Sequence, residues 1–226
     1  MIDCKGAHNP QSVILFAVYF YVRYGVSCRD LEEIMAECGV TVDRATLNRW
    51  VVKYSREAAC EAQKRKAITA ESWRMDETYV KVRGEWVNLY RAVDRDGKTL
   101  DFRLSEKRDT KAAKKFFANA LSNNGIPKRI TIDKSRSNAA GIKEVNKIFK
   151  RLQIPVKIDT VRSKYLNNII EQDHRFIKRL TRPMLGFKSF ASAAATLAGI
   201  EAANMIRKGK LGPATSGFRR FAELTG

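Results

Sequence analysis

Between residues 72 and 158 the hydrophobic period changes from strand to helix and back, and the order of those changes leaves few folds open. Residues 72–82, 86–94 and 98–105 alternate apolar with polar side chains, the period of a strand with one buried face. Gly84 and the run Asp94-Arg-Asp-Gly97 separate them, so the spacing predicts three antiparallel strands joined by short hairpins. A helix follows from about Asp109, with Ala112, Ala113, Phe116 and Phe117 on one side and Gly125-Ile-Pro127 at its end. Then come a short strand, Arg129-Ile-Thr-Ile-Asp133, a helix over 139–152, a last short strand at Pro155-Val-Lys-Ile158, and helical sequence beyond.

Three antiparallel strands extended by parallel crossovers make a mixed five-stranded sheet with helices, a ribonuclease H-like arrangement of α+β or α/β class. This body spans 72–210, with 211–226 as a C-terminal tail. Ahead of it lie a helical head at 1–62 and a charge-rich helical linker at 63–71. Asn9-Pro10 reads as an N-cap and a proline in the first helical position, and Val13, Phe16, Ala17 and Phe20 then share a face up to Gly25. Ser27 caps a second helix with Leu31, Ile34 and Met35 as its stripe, and Gly39 closes it. Thr41 or Asp43 opens a third, whose Leu47, Trp50, Val51 and Tyr54 point one way. Two helices around a tight glycine turn form a helix-turn-helix, with Arg44, Asn48, Arg49 and Lys53 on the outer face, where a major groove would lie. A plain three-helix bundle with a solvated basic face is the other reading.

Charge narrows the partners. Lys and Arg number 43 against 24 Asp and Glu, a formal net charge of +19. Such an excess repels itself in the compact state, so a polyanion is the expected partner, double-stranded DNA ahead of an anionic membrane. The run Val13 to Val22 is too short to span a bilayer and is closed by Arg23. The start, Met-Ile-Asp-Cys-Lys-Gly, has no leader-like apolar core, so a cytoplasmic, nucleoid-associated protein with reduced thiols is expected. Cys4, Cys28, Cys38 and Cys60 include no Cys-x-x-Cys pair. They read as buried free thiols, with a zinc site from Cys4, His8 and two further cysteines as the alternative.

Three acids stand out against this basic background. Asp76 lies inside the strand-like run Trp73–Val80, Asp133 ends the run Ile130–Asp133, and Glu171 sits in the helix-like stretch Lys164–His174. The first and fourth strands of such a sheet are neighbours, which sets Asp76 beside Asp133, with Glu171 approaching from a helix. A carboxylate in a buried strand is costly without a partner, and three together repel unless a divalent ion neutralises them. Oxygen donors suit Mg²⁺, two ions in this case with Mn²⁺ as an alternative, and the chemistry that follows is phosphoryl transfer on DNA. Each acid alone has a plainer account. Asp133 can cap a turn, and Glu171 can pair with Arg175 at i+4. Asp76 is the hardest to explain away, because strands disfavour Asp and its flanks Met75 and Tyr79 read as buried. Asp94 and Asp96 belong to a hairpin turn, Glu77 points to the opposite face from Asp76, and Asp173 faces away from Glu171. Asp159 is the main rival, since it follows the last short strand. His174, one turn beyond Glu171, reads as a histidine that packs against or supports the acids, with contact to the scissile phosphate as the alternative.

These residues carry a resemblance over nearly the whole chain. The head has Arg23-Tyr-Gly, Ser27-Cys-Arg-Asp-Leu-Glu-Glu-Ile-Met and Asn48-Arg-Trp-Val. The body has Trp73-Arg-Met-Asp-Glu-Thr-Tyr, Leu89-Tyr-Arg-Ala-Val-Asp, Thr99-Leu-Asp-Phe, Lys164-Tyr-Leu-Asn-Asn, Glu171-Gln-Asp-His and Arg182-Pro through Gly186-Phe-Lys-Ser. Together they resemble the DDE transposases of bacterial insertion sequences, most closely the short replicative kind grouped as insertion-sequence family six. The resemblance implies that Asp76, Asp133 and Glu171 are the metal-binding catalytic triad and that Lys178, two turns after Glu171, contacts DNA near the site. It implies recognition of terminal inverted repeats, cleavage that frees a 3′-OH, its transfer to target DNA, and a cointegrate after host replication. Pairing two element ends calls for a homodimer or larger assembly on DNA, with the Ala-rich helix 190–206 as core or, second, as interface. The stretch from Asp133 to Glu171 departs from the pattern by about three extra residues, placed between Asn138 and Thr160. A catalytically silent DNA-binding regulator is the rival reading from another class, and a plain nuclease of the same fold is a further one. The intact acids disfavour the first and the appended head the second.

Overall fold

The alternating segments build one sheet. In the computed structural model, which describes residues 9–66, 71–133, 135–163, 168–212 and 216–225, β1 (Ser72–Val82), β2 (Glu85–Asp94) and β3 (Thr99–Ser105) follow in sequence. Arg83 and Gly84 both take positive φ, 52° and 84°, which gives the tight turn whose twist suits a two-residue hairpin. At the second turn Asp94 Oδ1 accepts from the backbone N–H of Asp96 at 3.0 Å and of Lys98 at 2.8 Å, the local role expected for that acid. After α4 (Thr110–Asn124) come β4 (Arg129–Ile132), α5 (Arg136–Arg151), β5 (Asp159–Arg162) and α6 (Asn168–Thr181). The strand order is β3-β2-β1-β4-β5, with β2 and β3 antiparallel and β4 parallel to both β1 and β5. This is the ribonuclease H-like topology.

The chain divides into two compact units. One comprises Ile68–Lys81 and Glu85–Phe176; the other comprises Met1–Ala67, Val82–Gly84 and Ile177–Gly226. In the first, Trp73 and Met75 of β1, Tyr90 and Ala92 of β2, and Ile130 and Ile132 of β4 share a core with Phe116 and Phe117 of α4 and Ile142 and Phe149 of α5. Strand alternation therefore turns residues 73 and 75 toward α4 and α5, and the intervening residues 74 and 76 to the opposite face. Asp109 caps α4 by accepting from the Ala112 N–H at 2.7 Å, and Ser135 caps α5.

The second unit is helical. It contains α1 (Gln11–Arg23), α2 (Cys28–Glu37), α3 (Arg44–Arg65), α7 (Phe190–Arg207) and α8 (Gly217–Thr225). Ser27 and Asp30 form a capping box at α2, and Asp43 caps α3 through the N–H groups of Ala45 and Thr46. α7 is buried over most of its length and packs on α3 and α1. Gly199 marks the closest approach: a Cβ there would lie 2.5 Å from Ser55 Oγ and 2.8 Å from Val22 Cγ1. The Ala-rich helix is thus core.

Several expectations are corrected. The last strand is not Pro155–Ile158 but Asp159–Arg162. Pro155 has no N–H to give a ladder, and Val156 N–H turns back to the Ile154 carbonyl at 2.8 Å. Pairing starts only where the Asp159 N–H meets the Lys128 carbonyl at 2.9 Å. α5 begins three residues earlier than periodicity indicated, at its Ser135 cap. Tyr79 is exposed, at 42%, because it lies on the outer run of β1. α1 is buried on a broader face than the expected stripe, through Ile14, Leu15, Val18 and Tyr21, with Phe16 and Phe20 only partly covered. The third head helix and the linker are one helix, α3, through Arg65. The segment read as a tail carries α8, with Phe221 and Leu224 buried. The cysteines are not buried thiols: Cys38 and Cys60 are exposed and Cys28 half-buried, all free, while Cys4 and His8 lie outside the described residues. So do residues 164–167 of the Lys164-Tyr-Leu-Asn-Asn motif. Among the described residues no helix is long and apolar enough to cross a membrane.

Candidate active site

Strand register brings the first two acids together. Met75 of β1 pairs with Ile132 of β4 in a parallel ladder, so the next residues along, Asp76 and Asp133, emerge side by side where β4 ends. Glu171 stands in the first turn of α6 and is exposed. The charge of Glu171 reaches Asp76, as the smallest of the causes that act on it. Burial, first, pushes the Asp76 carboxyl up from its ordinary value to about 6; a hydrogen bond from the Glu77 backbone opposes this, and the charges of Asp133, Glu77 and Glu171 add to the rise. A carboxylate that feels three other acids while shielded from water is an anionic site short of counter-charge.

α6 comes to Asp76 through its next residues. His174 is buried, and its Nδ1 lies 3.6 Å from Asp76 Oδ2, beside the carboxylate but longer than a good hydrogen bond. Asp173 is buried as well, and its Oδ2 accepts from Arg91 Nη2 at 2.7 Å. Arg91 belongs to β2 and is fully enclosed. The pair sits two residues from Glu171 and pins the start of α6 to the sheet. Asp173 does face away from Glu171, as expected, but toward a structural partner that periodicity did not supply. A charged residue inside the buried run Leu89-Tyr-Arg-Ala-Val was the available signal.

On the other face Glu77 is held, as alternation demands. Arg108 Nε donates to its Oε2 at 2.5 Å, and Ser135 Oγ donates to its Oε1 at 3.4 Å. Ser135 follows Asp133 by two residues, so Glu77 braces the segment that carries the second acid. The rival Asp159 opens β5 opposite Arg129, at the far end of β4 from Asp133, and does not join the acids.

The acids fit a divalent cation by donor chemistry. The candidate donor atoms are carboxylate oxygens, and a cation there would offset both the burial and the neighbouring negative charge that raise Asp76. Among the described residues no three His, Cys, Asp or Glu side chains stand at enclosing distance, so ligation requires side-chain rotation, for which the exposed Glu171 has room. The four expected DNA contacts of α3, Arg44, Asn48, Arg49 and Lys53, are all exposed. Arg44 is paired to Glu32 at 3.0 Å, and Arg49 donates to Thr46 at 2.8 Å. Lys178 is exposed two turns along α6 from Glu171.

The chain is similar to known proteins. A family model described as a DDE domain matches residues 70–210, and one described as the Transposase IS66 family matches residues 11–127. The transposase for insertion sequence-like element IS431mec of Staphylococcus aureus is 41% identical over 193 residues, 84% of this chain and 82% of that protein. The transposase for insertion sequence element IS257 in transposon Tn4003, also of Staphylococcus aureus, is 40% identical over the same extent. Among solved structures, the HTLV-2 integrase catalytic core domain in complex with magnesium superposes with a TM-score of 0.46 at 17% identity, covering 62% of this chain and 88% of that one.

Proposed function

As the chain belongs to the DDE-domain transposases of the IS431 and IS257 type, we propose that it cuts DNA at insertion-sequence ends and transfers the freed 3′-OH to target DNA. The observation that carries the reading is the β1–β4 register, which sets Asp76 beside Asp133, with the Asp76 carboxyl raised by burial and then by the charges of Asp133, Glu77 and Glu171. Asp76, Asp133 and Glu171 are the residues that hold divalent metal, Mg²⁺ with Mn²⁺ as substitute. Bound there, two such ions neutralise charge on the reacting phosphate and favour in-line displacement.

The remaining work falls to the chain's own side chains. Asp76 is fixed by its strand and backed by His174, so its carboxylate is presented in one orientation. The Arg91–Asp173 pair holds Glu171 in register, and the Glu77–Arg108–Ser135 contacts hold the segment after Asp133. Lys178 binds phosphate close to the cut. In the head, residues 1–62, Arg44, Asn48, Arg49 and Lys53 read the terminal inverted repeats from α3. The linker at 63–71 joins that head to the catalytic domain at 72–210.

In the first step water adds to the phosphate at the element end and the 3′-oxygen leaves. In the second that 3′-OH attacks a target phosphate, one phosphodiester forms as another breaks, and no ATP is needed. One strand is transferred, so host replication completes a cointegrate, the pattern of insertion-sequence family six. The protein works as a dimer or larger assembly on DNA in the bacterial cytoplasm, at the nucleoid.

The test is joining of a labelled, pre-nicked element end to plasmid, with Mg²⁺ and with chelator. Joining that requires the ion supports the reading. Binding of the end without joining, in Mg²⁺ and Mn²⁺ alike, would make the protein a DNA-binding regulator.

A further inference from the structure

A groove of about 1200 Å³ lies along β5, the edge strand of the sheet, between that strand and α5. Six cations line it, Arg129, Lys143, Lys147, Lys150, Lys157 and Arg162, against one carboxylate, Asp159. Lys143, Lys147 and Lys150 follow at i, i+4 and i+7 on one face of α5, a row of charge over roughly 10 Å of helix axis. Along a nucleic-acid strand phosphates repeat every ~3.4 Å of duplex axis, so the row spans about three of them. Glu144, the acid nearest the row, is already engaged by Lys147 at 2.7 Å.

The loop ahead of β5 is pinned to α5. Asn146 Nδ2 donates to the Ile158 carbonyl at 3.0 Å, and its Oδ1 accepts from the Ile158 N–H at 2.9 Å. This side chain stands in for a strand, fixing the loop 152–158 that carries Lys157. One end of the groove lies at the end of β4, where Asp133 follows. Arg162, at one end, pairs in register with Ile132, the residue before Asp133, while Arg129 and Asp159 mark the other end.

The geometry points to a binding site for the sugar-phosphate backbone of the target duplex, with the Arg162 end delivering the phosphate that the 3′-OH attacks. The assignment rests on the transposase reading above. Target DNA is the occupant because four of the six cations are lysines, point charges that hold phosphate without forking onto a base edge. Such a wall grips duplex regardless of sequence, whereas an element end must be read.

The test replaces Lys143, Lys150 and Lys157 together by Gln, all exposed and away from the acids. A matched control replaces Lys81, Lys107 and Lys111, exposed in the same unit but outside the groove. Binding of random-sequence duplex is followed across a salt series, beside binding and joining of a pre-nicked element end. The groove variant is expected to lower the slope of log K against log salt by ~2.7, about 0.9 for each phosphate no longer neutralised. It should also fail at target joining while binding the element end as the wild type does, and the control should do neither. A groove variant that matches the control, in a wild type that joins DNA, overturns the groove and leaves the transposase reading intact. Equal loss on random duplex and element end overturns the assignment to target. A wild type that joins nothing overturns both.

Discussion

Asp76 carries the sharpest consequence at the scale of single residues. Its carboxyl titrates near 6 in the metal-free protein against about 3.9 in an unfolded chain. The folded state therefore holds the extra proton between those values, and stability falls as pH rises from about 4 to 6. The gap between the two corresponds to at most about 3 kcal/mol. With metal chelated, Asp76→Asn should melt above the wild type at pH 8, and the difference should vanish below pH 4. Added Mg²⁺ should raise the melting temperature of the wild type only. A thermal scan at the two pH values decides it.

The Arg91–Asp173 pair makes the opposite prediction. Removing one partner strands a buried charge, so Arg91→Met or Asp173→Leu alone should cost about 3–5 kcal/mol in urea unfolding. The double change to apolar residues should recover most of that stability. Joining activity should stay low in the double variant, because the ion pair that ties the helix of Glu171 to β2 is then gone. Stability and activity returning together would show that the pair only holds the fold.

At the scale of elements, packing between helices decides. Gly199 on α7 faces Ser55 and Val22 so closely that a methyl group must displace backbone-anchored atoms of two helices. Gly199→Ala should destabilise by about 1–3 kcal/mol, although alanine favours an isolated helix. A stability at or above the wild type would refute that packing. The same helix shows where sequence patterning stops being informative. An Ala-rich run is apolar on nearly every face, so its period names no partner; contact with α1 and α3 is settled only by the fold. The first three strands were legible because a glycine turn separates each from the next, although β2 is buried on both faces from Val87 to Asp94. β5 was not. Its residues Asp-Thr-Val-Arg are mostly exposed and show no alternation, whereas the apolar Val156 and Ile158 just before them do. Only the ladder with β4 selects Asp159 as the first paired residue, and that shift removes it as a rival to Asp133.

For the whole molecule, a charge of +19 set the expectation of a polyanionic partner, but composition could not say where the charge would gather. The groove on β5 is assembled from α5, a loop and the starts and ends of two strands, residues spread over 129–162. Asp76 was the most legible of the acids, since Asp inside a strand breaks a local rule, whereas Asp133 as a turn cap and Glu171 as a partner of Arg175 break none. The nearness of Asp76 to Asp133 depends on the β1–β4 register, and the Arg91 and Glu77 contacts depend on faces that only the folded sheet defines.

The account stands most directly on joining assays of Asp76→Asn, Asp133→Asn and Glu171→Gln, each with DNA binding measured on the same preparation. Each variant is expected to bind the element end like the wild type and to join about 100-fold more slowly or worse, the equivalent of several kcal/mol of barrier. Joining at the wild-type rate by any one of the three would contradict a single site built from these acids.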